Sequence, residues 1–294
     1  MSQNDPYQPP YGGQYIPPPP SYQGGSDIPP QSPYHYSPSA PRSNRSTLGW
    51  LGSAALAVWA VIKYGLVFLV KIPAFATLFS ALVSVGAYSL FYGGWFAVAL
   101  VAMILVHEMG HVVEIRRQGM RATAPIFIPF LGAAIFQREH PTTAVKQAQI
   151  GIAGPIAGTI GATVAFVLFT ATQNPIFLLA ATIGFFLNLI NMLPVWQLDG
   201  AWVLAPVSPW FQVAGLAAIA VLAVVFHFVS ALLVIIAVLG IGSARTAFRN
   251  ANNPYYTSVP GRARLALFAA WLALVLYLGV MSLQTESLFI TLAR

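Results

Sequence analysis

Between residues 75 and 281 the chain passes through seven apolar stretches, 75–91, 95–115, 148–170, 176–193, 210–226, 228–241 and 265–281. Most approach the ~20 residues that a helix needs to cross a hydrocarbon core. A backbone in that core must satisfy its own N–H and C=O groups, which restricts stretches of this kind to helices. Only 7% of the 294 residues are charged, against 57% hydrophobic, too few charges to cover a water-facing globule. The expected fold is therefore an all-α polytopic membrane protein with about six to eight membrane helices.

Three segments do not read as simple spans. Residues 48–70 carry Lys63 in their interior and are followed by Lys71, a pattern that suits a segment lying in the interface or dipping into the membrane. The two stretches flanking His227 read either as two short helices or as one long tilted helix. Residues 124–136 are apolar but too short to span. Pro125 and Pro129 oppose a helix there, and the β-branched and aromatic residues favour extended backbone with a bend at Gly132. Irregular backbone cannot face lipid, so this piece is expected to be a short re-entrant segment sheltered by protein or lining a cavity.

If 48–70 does not cross and the seven other stretches do, 13 of the 14 Lys and Arg residues fall on one side, with Arg294 alone beyond the membrane. The positive-inside rule makes that side cytoplasmic. The net charge of +7 is then accounted for by membrane-flanking loops, and without a basic stripe it gives no reason to expect nucleic acid as a partner.

The expected organisation is a tail, 1–46, ahead of a membrane domain, 47–294. The tail holds 12 of the 23 prolines and six of the 12 tyrosines. It is expected to be disordered and cytoplasmic, either as a docking segment for an unspecified partner or as a plain solvated extension. Met1 leads into a polar stretch with no basic or apolar region behind it, so no signal peptide is expected. The absence of cysteine excludes disulfides, thiolate metal sites and a cysteine nucleophile.

Inside 95–115 the ionisable residues are His107, Glu108, His111 and Glu114. Charges at such depth are costly and point to function. Residues four apart share a helix face, so His107 and His111 can offer nitrogens to one Zn²⁺, with Glu108 placed to reach a water on it. A catalytic zinc takes three protein ligands and keeps one open position. Glu114 stands about 10 Å of helical rise from His107, too far to share the ion, and is expected near Arg116 and Arg117. His140 lies in a polar loop, where an exposed histidine is the ordinary expectation. Asp199, at the end of a membrane segment, is the better third ligand.

The motif His107-Glu108-Met109-Gly110-His111, followed by Asn191-Met192-Leu193-Pro194-Val195-Trp196-Gln197-Leu198-Asp199-Gly200, resembles the paired HExxH and NxxPxxxLDG signatures of the site-2 protease family of intramembrane zinc metalloproteases. The stretches 154–158 and 129–133 are also similar to family features, so the resemblance covers most of residues 70–245. The chain departs from it at Ala201-Trp202, where members commonly have Gly-Arg. No soluble stretch outside the tail exceeds about 25 residues, so no PDZ or CBS domain is expected.

The resemblance implies a metalloendopeptidase with one Zn²⁺ per chain held by His107, His111 and Asp199. Glu108 would be the proton carrier, and the substrate a transmembrane protein cut within or near its membrane segment. Asn191 is a candidate for assisting the oxyanion, or else for satisfying backbone groups where Pro194 interrupts a helix. Ile126, Ile128, Phe130 and Gly132 are candidates for a platform on which unwound substrate adds as a strand, or else for a plug of the cavity. Gly151, Gly154, Gly158 and Gly161 are expected to permit close helix packing. The expected location is a prokaryotic cell membrane, with the N-terminus and active site toward the cytoplasm. The competing readings are a membrane zinc-binding or transport protein and an inactive scaffold of the same fold.

Overall fold

The computed structural model describes residues 52–60, 63–64, 73–135, 139–225 and 231–292. The chain divides into two units, Met1–Trp59 and Ala60–Arg294. Of the first, residues 52–59 are described and are helical. The proposed tail 1–46, His227 and most of 48–70 lie outside the described residues.

The second unit is built from helices α1 (Pro73–Tyr92), α2 (Gly94–Arg117), α3 (Ala144–Thr172), α4 (Pro175–Asn191), α5 (Asp199–Leu204), α6 (Trp210–Val225), α7 (Ala231–Arg249), α8 (Pro254–Thr257) and α9 (Gly261–Leu292). A hairpin of β1 (Ile126–Ile128) and β2 (Gly132–Ala134) lies between α2 and α3. Among the described residues four helices are long and apolar enough to cross a membrane: Ala74–Tyr92, Gly94–Arg117, Ala144–Thr172 and Gly261–Leu292. Pro175–Asn191 and Trp210–Val225 are shorter apolar helices. Each of the seven apolar stretches is thus helical over its described residues, apart from 192–193, which follow the end of α4. The pair around His227 is two helices, α6 and α7, packed on each other.

The helices outrun the apolar stretches where polar chemistry holds their ends. α3 starts at Ala144 because the Thr143 side chain accepts from Lys146 N at 3.2 Å, an N-cap that carries the helix through the polar Lys146, Gln147 and Gln149. The α3–α4 turn is set by Gln173 in the left-handed region (φ 56°) and by the Asn174 cap, with Pro175 opening α4. Proline suits that first position, where its missing N–H would have no helical partner.

α3 packs extensively on both α2 and α4. The approach of α2 to α3 is close at Gly110, where a Cβ would lie 2.7 Å from Ala157 Cβ and 2.9 Å from the Ala153 carbonyl carbon. One apolar cluster joins Ala162 and Ala165 of α3, Ala181 and Phe185 of α4, Met192 just beyond α4, and Leu278 of α9. Trp271 Nε1 donates to Met192 O at 2.8 Å, so α9 also satisfies a carbonyl at the point where α4 stops. Large apolar side chains on the outer faces, among them Leu82, Val113, Ile160, Val164 and Val280, are exposed, as lipid contact requires.

The hairpin is the extended segment expected around Gly132, whose φ of 98° makes the bend. Its strands pair antiparallel, Ile126 with Ala134, Phe127 with Ala133 and Ile128 with Gly132. It is fastened along α1: Thr77 Oγ1 donates to Pro125 O (2.7 Å), Phe127 N donates to Ser80 Oγ (3.1 Å), and Phe130 N donates to Tyr88 OH (3.0 Å). From Thr77 to Tyr88 is about 16 Å of helical rise, so the hairpin runs along α1 for much of its length. Phe127 is buried in one cluster with Tyr88, Ala97, Val101 and Ile104, and Ile104 lies three residues before His107 on α2.

Gly110→Ala should destabilise the protein by about 1–3 kcal/mol, the usual range for overpacking a tight contact, because its methyl group meets the backbone of α3. Unfolding in detergent by circular dichroism measures this, with Val113→Ala on the lipid face as the comparison expected to change little.

Candidate metal centre

The helical repeat brings His107 and His111 to one face of α2, with their rings edge-to-face at 4.9 Å between centroids. Asp199 arrives from the other side, on the first residue of α5. It is delivered there by the break after α4. Leu198 N donates to Val195 O (3.1 Å), Trp196 takes a positive φ of 53°, and the chain turns back sharply into α5. Gly200 makes the return possible. A Cβ at that position would lie 2.8 Å from the Leu193 carbonyl carbon and closer still to Met192, so any larger residue would push Asp199 away.

Three ligand-type atoms converge. His107 Nε2 stands 3.1 Å from Asp199 Oδ2, His111 Nε2 stands 3.3 Å from Asp199 Oδ1, and the two Nε2 atoms are 3.2 Å apart. This cluster could hold a metal ion, and among the described residues it is the only such group of His, Cys, Asp and Glu. The donor set fits a cation for a specific reason. His111 Nδ1 lies 2.8 Å from Ile150 O; a carbonyl only accepts, so Nδ1 carries the proton and Nε2 turns a lone pair inward. Asp199 Oδ2 is buried and has no hydrogen-bond donor. Lone pairs gathered this closely repel one another unless a positive charge sits among them.

Glu108 follows His107 on α2, half-buried and within electrostatic reach of His107, His111 and Asp199. No hydrogen bond to another described residue engages its carboxylate. Glu114 faces elsewhere: Arg117 grips it from Nε (2.6 Å) and Nη2 (2.8 Å), and Gln118 Nε2 adds a third bond at 2.8 Å. His140 is exposed and stands outside the cluster. Asn191 Nδ2 donates to Leu187 O at 3.1 Å, a carbonyl of its own helix.

In the hairpin, the Ile126 and Ile128 side chains are exposed. Phe130, with φ 64°, sets its ring edge-on to Tyr88 and Phe91. Gly132 pairs with Ile128.

The glycines of α3 pack closely, and against the centre itself. A Cβ on Gly154 would meet the His111 ring, at 2.7 Å from Cδ2 and closer to Nε2; one on Gly151 would lie 2.8 Å from Trp202 Cβ and 3.3 Å from Asp199 O. The sequence reading missed Asn188, whose Oδ1 lies 2.8 Å from His107 Nδ1. The signal was present, since an amide inside the apolar stretch 176–193 is itself an uncommon placement.

Residues 95–176 match Peptidase family M50. M50 is the site-2 protease family. The M50 match spans α2, the hairpin, α3 and the start of α4, so it includes the two histidines and Glu108 and stops short of Asp199. M50 supports a membrane metalloprotease, in agreement with membrane-length helices around a cluster able to hold a metal. No curated protein matches the chain.

Asp199→Asn keeps the side-chain volume and removes the charge. It should lower metal retention by more than about 100-fold, beyond the 10–100-fold typical of losing an outer-shell partner. Metal analysis of the detergent-purified protein after dialysis reads this directly.

Proposed function

We propose that this chain is a zinc-dependent intramembrane protease that hydrolyses peptide bonds within or near the membrane segments of other membrane proteins. The observation that carries the reading is the meeting of His107, His111 and Asp199 beside a carboxylate, Glu108, to which no described residue donates a hydrogen bond. Two nitrogens and a carboxylate oxygen suit zinc and leave a position open for reaction. His107, His111 and Asp199 would hold a zinc ion, which would supply Lewis acidity for activating water and polarising the scissile carbonyl. Glu108 takes the proton from the attacking water and returns it to the leaving amine, so one carboxylate serves both halves of the hydrolysis. Transport is less well supported, because a path through the membrane calls for further ligand clusters and the described residues contain this one alone.

A helical substrate hides its carbonyls in its own hydrogen bonds and must unwind before water can attack. The hairpin offers it a strand edge, and the register favours one of the two. Phe127 N points to Ser80, away from β2, so Phe127 and Ala133 form a non-hydrogen-bonded pair whose N–H and C=O groups face outward. The Phe127 side of the hairpin is taken by Thr77 and Ser80. The Ala133 side is the one onto which unwound substrate adds. Ile126, Ile128 and Gly132 support that edge through their pairing across the hairpin, and Phe130 anchors its tip.

Arg116 and Arg117 end α2, Arg245 and Arg249 lie at the end of α7, and Arg262 and Arg264 open α9. By the positive-inside rule these ends face the cytoplasm. His111, five residues before Arg116, then lies about 7 to 8 Å along the helix from that face. The tail 1–46 would extend from the same side, ahead of the protease domain 47–294, in a prokaryotic cell membrane.

Glu108→Gln should retain zinc and lose cleavage of a membrane substrate by roughly 10²- to 10⁴-fold, the usual contribution of a positioned acid–base group. Membrane proteins that accumulate uncut in cells carrying this variant supply the substrates, and undiminished cleavage by it would refute the proposed base. Ala133→Pro removes one outward N–H without touching a ladder bond, so it should impair cleavage of a helical membrane substrate while zinc content stays at the wild-type level.

A further inference from the structure

We propose that Asn188 is a positioning residue that fixes the tautomer and aim of His107 and so sets the affinity of the centre for its metal; this rests on the zinc reading above. Asn188 is completely buried in α4. Its Nδ2 donates to Gly184 O at 2.7 Å. A backbone carbonyl accepts and never donates, so that end of the amide is the nitrogen and the end facing His107 is the oxygen. Oδ1 lies 2.8 Å from His107 Nδ1. An amide oxygen also only accepts, so the His107 proton resides on Nδ1 and the Nε2 lone pair is directed at Asp199 and at Nε2 of His111.

The opposite orientation of the amide fails twice. It would set oxygen against the Gly184 carbonyl, and it would place a donor against Nδ1, driving the His107 proton onto Nε2, where a metal has to bind. The amide is completely buried, and a buried polar group without its partner is costly. The space for it is cut into the facing helix: a Cβ on Gly158 of α3 would lie 2.6 Å from Asn188 Cγ and closer to both of its terminal atoms. Two glycines thus serve one amide, Gly184 by its carbonyl and Gly158 by its missing side chain. His111 receives the same service from a backbone carbonyl, Ile150 O. For His107 the service comes from a side chain, which substitution can remove without disturbing a ligand.

The test is zinc affinity of the full-length protein in detergent, measured by competition with a chelator of known affinity. Asn188→Leu keeps the volume and removes the acceptor, and zinc affinity should fall about 10–100-fold, the usual effect of losing the outer partner of a ligating histidine. Asn188→Asp keeps an oxygen toward Nδ1 and, with its second oxygen protonated and donating to Gly184 O as the amide does, should recover most of that loss. Gly158→Ala should lower affinity to a similar extent although Asn188 is still present, because its methyl group takes the amide's place. This second position keeps the test available if Asn188→Leu does not fold. Wild-type affinity in a folded Asn188→Leu protein, or in Gly158→Ala, would overturn the role of Asn188 while leaving the zinc reading intact. An Asp variant no better than Leu would do the same. A wild-type protein that binds no zinc would overturn both.

Discussion

A carboxylate and two imidazoles held together in an apolar interior are the constraint around which this molecule is arranged. Each is expensive to remove from water, and the effective penalty for an unpaired buried ion is several kcal/mol. Here the oxygens of Asp199 and the Nε2 atoms of both histidines face one another at 3.1 to 3.3 Å. The two Nδ1 atoms are already occupied by Asn188 and Ile150. The inner faces are therefore electron-rich and the outer faces are spent, an arrangement that becomes favourable when a cation fills the middle. The break after α4, the sharp return at Gly200 and the closeness of α3 to α2 all serve to bring Asp199 to the histidines.

That closeness has to be built without much hydrophobic assistance, since lipid tails solvate apolar side chains as well as a neighbouring helix does. Small residues do the work. Gly151, Gly154, Gly158 and Gly161 recur every three or four residues along α3 and so share a face. They meet Trp202 and Asp199, His111, Asn188 and Val106 in turn. Three of the four thus touch the centre or its supporting amide, which makes packing and chemistry one requirement along this face.

Much of this was legible in the sequence because it depends on spacing. Two histidines four positions apart in an apolar helix dictate a shared face, and the rise from His107 to Glu114 removes Glu114 from the set; Arg117 and Gln118 hold it in the structure. The prolines at 125 and 129 announced extended backbone, and Gly132 marked its bend. Helix ends were less visible, since hydropathy marks the part of a helix that suits lipid and is blind to a cap such as Thr143 or to the polar turn beyond it. Contacts between helices were beyond reach. Nothing in the local pattern distinguishes Asn188 from Asn191, three residues apart on one helix, yet one turns to His107 and the other to its own backbone. Ile150 contributes a carbonyl that every residue possesses, and no side-chain pattern could reveal it.

The hydroxyl groups along α1 carry a consequence of a different kind. A two-stranded hairpin has two open rims, and in a bilayer an unpaired rim is a strong invitation to any other extended chain, including the same hairpin of a neighbouring molecule. Thr77 and Ser80 close one rim by bonding Pro125 and Phe127. What remains is one-sided, able to accept a single visitor and unable to propagate a sheet through a row of copies. A hairpin fastened in this way is protected from becoming a template for the aggregation of extended chains.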